Sequence, residues 1–114
     1  MRTLMKPAAM LFTLAAALVA LPATSAEMVA GRASVIDGDT IEIHGIRVRI
    51  EGIDAPESSQ LCTRNGQRYR CGREATFALA DRIGRHIVTC ARTTTDRYGR
   101  MVAICDVDGA DIGR

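Results

Sequence analysis

Along this chain the spacing of apolar positions changes from a strand period to a helical one and back. From Met28 to Ile36 the run is mildly apolar and stops at Asp37-Gly38-Asp39, a turn-forming cluster. Thr40 to His44 resumes, with Ile41 and Ile43 alternating against Thr40, Glu42 and His44, and Gly45 turns the chain. Ile46, Val48 and Ile50 then alternate with Arg47, Arg49 and Glu51, the period of a half-buried strand that ends before Pro56. Residues 58–70 are polar and read as a loop. From Gly72 the spacing becomes helical, with Ala75, Ala78, Leu79 and Ile83 on one face and Gly84 as the stop signal. His86 to Ala91 and Arg100 to Val107 read as two more strands, joined by the polar stretch Arg92 to Gly99. The pattern predicts a mainly β domain with some α. Its layout is five strands with one helix between the third and fourth, that of an OB-fold barrel.

The first 26 residues stand apart. Arg2 and Lys6 precede an apolar segment from Ala8 to Leu21, Pro22 breaks it, and Ala23-Thr24-Ser25-Ala26 offers small residues for cleavage before Glu27. The apolar segment is about fourteen residues long, short of the roughly 20 that a spanning helix needs. An export signal over 1–26 is therefore expected, with a domain over 27–114 that is secreted or periplasmic and leaves the membrane after cleavage.

Export changes how Cys62, Cys71, Cys90 and Cys105 read. An even set in an oxidising compartment points to disulfides, and four cysteines allow three pairings. A zinc site would favour close Cys-x-x-Cys pairs, which are absent, and His44 and His86 are distant in sequence from every cysteine. Cys90 and Cys105 are nearly symmetric about the turn from Asp96 to Gly99, so a hairpin would place them opposite each other. That pairing leaves Cys62–Cys71 to close the loop before the helix.

Charge narrows the options further. The net charge is +2 over 114 residues, but two of the fifteen cations lie in the export segment and none of the thirteen acids does. The remainder is neutral, which argues against blanket coating of nucleic acid, and all its cations are arginine. Phosphate binding must then come from a local arrangement, and the planar guanidinium suits it. Asp37, Asp39, Asp54 and Glu57 stand at strand ends, where hard oxygen ligands could converge on Ca²⁺ or Mg²⁺. Arg49 and Arg100 stand nearby in sequence pattern, and cations facing a carboxylate-bound metal suit a phosphodiester. Taken singly, Asp37 and Asp39 read as turn residues, and Arg49 with Glu51 as a solvated strand face.

Taken together these segments resemble the staphylococcal nuclease (thermonuclease) family. The resemblance is carried by Val35-Ile36-Asp37-Gly38-Asp39-Thr40-Ile41, by Arg47 through Glu57, and by Asp96-Arg97-Tyr98-Gly99-Arg100, in the same order and spacing. It reaches to about Val107. It implies a Ca²⁺-dependent phosphodiesterase on an OB-fold, acting on DNA and RNA to leave 3′-phosphates, with no protein partner and as a monomer. It further implies Asp39, Asp54 and the backbone carbonyl of Ala55 as Ca²⁺ ligands, Ala55 standing where the family often has Thr. Glu57 would be the general base, and Arg49 and Arg100 would neutralise the phosphate oxygens. Arg97 and Tyr98 match positions near a terminal phosphate of the bound nucleotide, and Asp37 an acid close to the metal. The family domain continues with two helices, the first expected to begin near Ala110, so this chain is expected to lack them and to be incomplete at its C-terminus. Aromatic platforms for bases are scarce, since Phe12, Tyr69, Phe77 and Tyr98 are the whole set. The alternatives are a non-catalytic OB module binding nucleic acid or carbohydrate, or an inactive truncated remnant. Intact Arg49, Glu57 and Arg100 favour the enzyme.

Overall fold

The computed structural model describes residues 26–114 together with residues 3, 5, 9 and 11–16. The expected export signal lies for the most part outside the described residues. Among the described residues, no helix is long and apolar enough to cross a membrane.

The strands are β1 (Met28–Gly31), β2 (Ala33–Asp37), β3 (Thr40–Ile43), β4 (Ile46–Ile50), β5 (Cys62–Arg64) and β6 (Gln67–Tyr69); α1 (Cys71–Ile83) follows, then β7 (Val88–Thr95), β8 (Met101–Val107) and β9 (Ala110–Asp111). The main sheet runs β1-β7-β8-β4-β3-β2, with β9 added to β8. Its two ends, β1 and β2, are separated in the chain by Arg32 alone, so the sheet must curl until they meet. The result is a mainly β domain with one helix and a curled, OB-like sheet. All pairings are antiparallel except β4 with β8, which sets Arg49 beside Val102.

The expected count of five strands is corrected in three places. The run from Met28 to Ile36 is two strands, because the chain changes partner at Arg32: β1 pairs with β7 and β2 with β3. The expected loop over 58–70 contains the β5–β6 hairpin, turning at Asn65 (φ 53°) and Gly66 (φ 77°). Such left-handed pairs match the twist of two-residue hairpins. The stretch from Ala110, expected to open a helix, forms β9 and then buries Ile112 to 1% exposure.

Alternation fills the inside of the curled sheet. Ile41, Ile43, Val48, Ile50, Val88, Met101 and Ala103 are fully or almost fully buried and form one cluster with Leu79 and Ile83 of α1. Ala78, expected on the buried helix face, is exposed, so the contact stripe is narrower than the sequence pattern. Arg82 of α1 donates to the carbonyls of Asp111, Ile112 and Arg114, tying the helix to the segment after β9. Both expected disulfides are present. Cys90–Cys105 joins residues directly opposite each other on β7 and β8, and Cys62–Cys71 ties the small hairpin to the start of α1.

Candidate active site

The site is assembled from three sheet margins. Thr40 pairs with Arg49 across β3 and β4, which brings Asp39, just before β3, next to the Arg49 side chain. Asp39 is buried to 7% exposure, an unusual place for a carboxylate, and its bonds explain how it is tolerated. The Thr40 hydroxyl donates to its Oδ1 at 2.8 Å, the Ala55 backbone N–H donates to its Oδ2 at 3.2 Å, and Arg49 Nη2 lies 3.6 Å from Oδ2. Arg49 Nη2 is also 3.4 Å from Asp54, whose side chain is 94% exposed. One guanidinium thus bridges two carboxylates that are fifteen residues apart in sequence.

A second group lies across the β7–β8 turn. Asp96 accepts from the backbone N–H groups of Tyr98 and Arg100, and from Arg100 Nε at 2.7 Å. Desolvation raises the Asp96 pKa, but these bonds outweigh it and hold the carboxyl below the usual aspartate value. Because the ion pair uses Nε, the outer nitrogens of Arg100 remain for a ligand. Arg97 and Arg100 both lie over the Tyr98 ring, at 4.9 and 5.5 Å.

Between these groups opens a cavity of about 530 Å³ lined by Asp37, Arg47, Glu57, Ser58, Ser59, Tyr98 and Arg100. Glu57 and Arg100 therefore face one space, as do Asp37 and Tyr98. Asp37 is oriented by the Ser58 backbone N–H, which donates to its Oδ1 at 2.7 Å. Glu57 is positioned through its backbone: Gly72 of α1 lies so close to the Glu57 carbonyl that no Cβ would fit. Arg49, Asp39 and Asp54 form their own cluster and do not line this cavity. Arg97 is not a lining residue but lies over the ring of Tyr98, which is. Ser58 and Ser59 are lining residues that sequence reasoning did not single out as site residues, and so is Arg47. The signal for Arg47 was present, since it alternates with Arg49 on the polar face of the same strand.

The donor set suits a hard divalent cation. Asp39, Asp54 and a backbone carbonyl at Ala55 are all oxygen donors, and a cation would compete with the Arg49 guanidinium for the two carboxylates. Among the described residues, no three His, Cys, Asp or Glu side chains cluster to hold a metal by themselves. A cation here would depend on backbone and water oxygens for the rest of its shell.

Comparison with known proteins bears on the family of the chain. Residues 47–113 match the family described as staphylococcal nuclease homologue, which takes the match beyond Val107 and begins it after Asp37 and Asp39. A relative, the succinoglycan biosynthesis protein ExoI of Rhizobium meliloti (strain 1021), is 47% identical over 65 residues, 54% of this chain and 34% of its own length. The chain thus spans about a third of that relative. With more than half of its residues covered by one family model, and with the curled sheet and arginine-lined cavity described above, the chain belongs to the staphylococcal nuclease homologue family.

Proposed function

We propose that this domain is an exported, Ca²⁺-dependent phosphodiesterase that hydrolyses DNA and RNA and leaves 3′-phosphates. The observation that carries the reading is the single cavity faced by Glu57, Arg100 and Tyr98. In it Glu57 accepts the proton of a water attacking phosphorus. The bond from phosphorus to O5′ breaks, O5′ takes a proton, and the phosphate stays on the 3′ side. Arg100 binds the phosphate oxygens as charge grows on them, braced by Asp96 so that little reorganisation is needed. Arg49 lies outside this cavity, beside the carboxylates that would hold the cation, and would meet the phosphate from that side. Ca²⁺ held by Asp39, Asp54 and the Ala55 carbonyl would add positive charge next to the phosphate. The two disulfides support an oxidising destination.

Incubation of the protein with single-stranded DNA or RNA, in Ca²⁺ or in chelator, tests the reading. Fragments ending in 3′-phosphate, formed only with Ca²⁺, are the expected result, and intact substrate in both arms overturns it. A second reading has one observation in its favour, the name of the relative, which concerns synthesis of a polysaccharide. On that reading the domain binds a carbohydrate without cleaving nucleic acid, and immobilised succinoglycan would retain the protein.

A further inference from the structure

A second, smaller cavity of about 250 Å³ is lined by Ser58, Ser59, Gln60, Leu61, Arg70 and Arg73. Ser58 and Ser59 line both this cavity and the larger one that holds Glu57 and Arg100, so the two adjoin across these exposed serines. Among the described residues, neither Arg70 nor Arg73 has a carboxylate within ion-pair distance, whereas Arg49, Arg82, Arg92 and Arg100 are all bonded to protein oxygens. Exposed arginines left unpaired beside hydroxyl groups are suited to phosphate oxygens. The place is also fixed: Cys71, between Arg70 and Gly72, is disulfide-bonded to Cys62, and the Gly72 N–H donates to the Gln60 carbonyl at 3.2 Å.

We infer that Ser58, Ser59, Arg70 and Arg73 form a second phosphate subsite, adjoining the reacting one, so that the substrate is a single-stranded polynucleotide held at two phosphates. The inference rests on the proposed nuclease function for its substrate class. Leu61, half-exposed on the wall of the same cavity, gives the intervening sugar an apolar surface. Neutrality of the domain as a whole does not oppose this, because the interaction is local.

The test separates binding from turnover. Fluorescence anisotropy of a labelled oligothymidylate in EDTA, across a salt series, measures how many phosphates the protein neutralises. The double variant Arg70→Ala/Arg73→Ala should bind several-fold more weakly, with the salt slope reduced by about 0.7 for each phosphate that is no longer neutralised. Charge reversal in Arg73→Glu should weaken binding in the same direction. A control of equal charge, Arg32→Ala/Arg85→Ala, removes two exposed arginines from other parts of the surface and should keep the wild-type slope. If the Arg70/Arg73 variant keeps that slope, or the slope of the control falls as much, the subsite is overturned. A nitrophenyl phosphodiester of thymidine has one phosphate and cannot reach the second subsite, so the Arg70/Arg73 variant should cleave it at the wild-type rate. Failure of the wild type to cleave it counts against the catalytic reading and leaves the binding result to decide the subsite.

Discussion

The backbone N–H of Ala55 donates to the Asp39 carboxylate at 3.2 Å, across sixteen positions of sequence. The residue whose carbonyl would face a cation therefore orients one of the carboxylates that would hold it. Asp39→Ala removes that anchor as well as a charge, and Asp54→Ala removes the exposed partner. Each variant should lose Ca²⁺ binding by calorimetry and Ca²⁺-dependent cleavage with it. With only two carboxylates, wild-type affinity should sit in the weak range of extracellular sites, about 10⁻⁴–10⁻³ M.

Arg49→Lys and Arg100→Lys keep the charge and lose the fork. Each should lower kcat/KM by on the order of a hundredfold or more if the group meets transition-state charge. Glu57→Gln should lower kcat while sparing Ca²⁺ affinity. Cleavage assays paired with calorimetry check all three, and a Glu57→Gln protein that no longer binds Ca²⁺ would make Glu57 a ligand.

Much of this was legible in the sequence, and the parts that were not have physical reasons. Strand β4 announced itself because Val48 and Ile50 are buried while Arg47 and Arg49 are not. The break at Arg32 was hidden because it is a change of partner, not of local conformation. The β5–β6 hairpin has three-residue strands with no fully buried side chain, so no period could reveal it, although Asn65-Gly66 is a strong turn signal. Asp108-Gly109, with φ of 50° and 78°, was the corresponding sign of β9. In the site, each motif residue could be named from the sequence. That Arg49 turns toward Asp39 and Asp54, while Arg47 turns into the cavity, depends on side-chain geometry that no spacing specifies.

Gly72→Ala tests how Glu57 is held. A Cβ there would collide with the Glu57 carbonyl and the Ser58 backbone, so the loop must move. Overpacking of this kind costs roughly 1–3 kcal/mol. A urea melt should show that loss, and cleavage should fall further than the stability change accounts for, because Glu57 moves.

Asp96 predicts a pH dependence. Its folded-state pKa lies below its unfolded one, so its contribution to stability is present above the ordinary aspartate range and is lost as pH falls through the folded value. Asp96→Asn should therefore be less stable than wild type at neutral pH, with the gap closing below about pH 4. Paired urea melts across that range measure the difference directly.

The two disulfides should respond differently to reductant. Cys90 and Cys105 are fully buried, whereas Cys62 is partly exposed beside the hairpin. Brief treatment with dithiothreitol, followed by alkylation and peptide mapping, should label Cys62 and Cys71 first. Replacing either pair by alanine should cost roughly 2–3 kcal/mol in the chain-entropy model, for loops of nine and fifteen residues.

The change of partner at Arg32 also has a consequence in time. Met28 pairs with Ala91 and Gly31 with Val88, so β1, the first strand in chain order, cannot be satisfied until β7 is available. Its sister strand β2 finds β3 almost at once through a turn of two residues. Pairing of β1 with β7 is thus a late, long-range event, of the kind that slows folding to milliseconds or seconds. Until then β1 is unpaired on both edges and open to any other chain. Crowding of newly made molecules should favour strand exchange at those edges above all others.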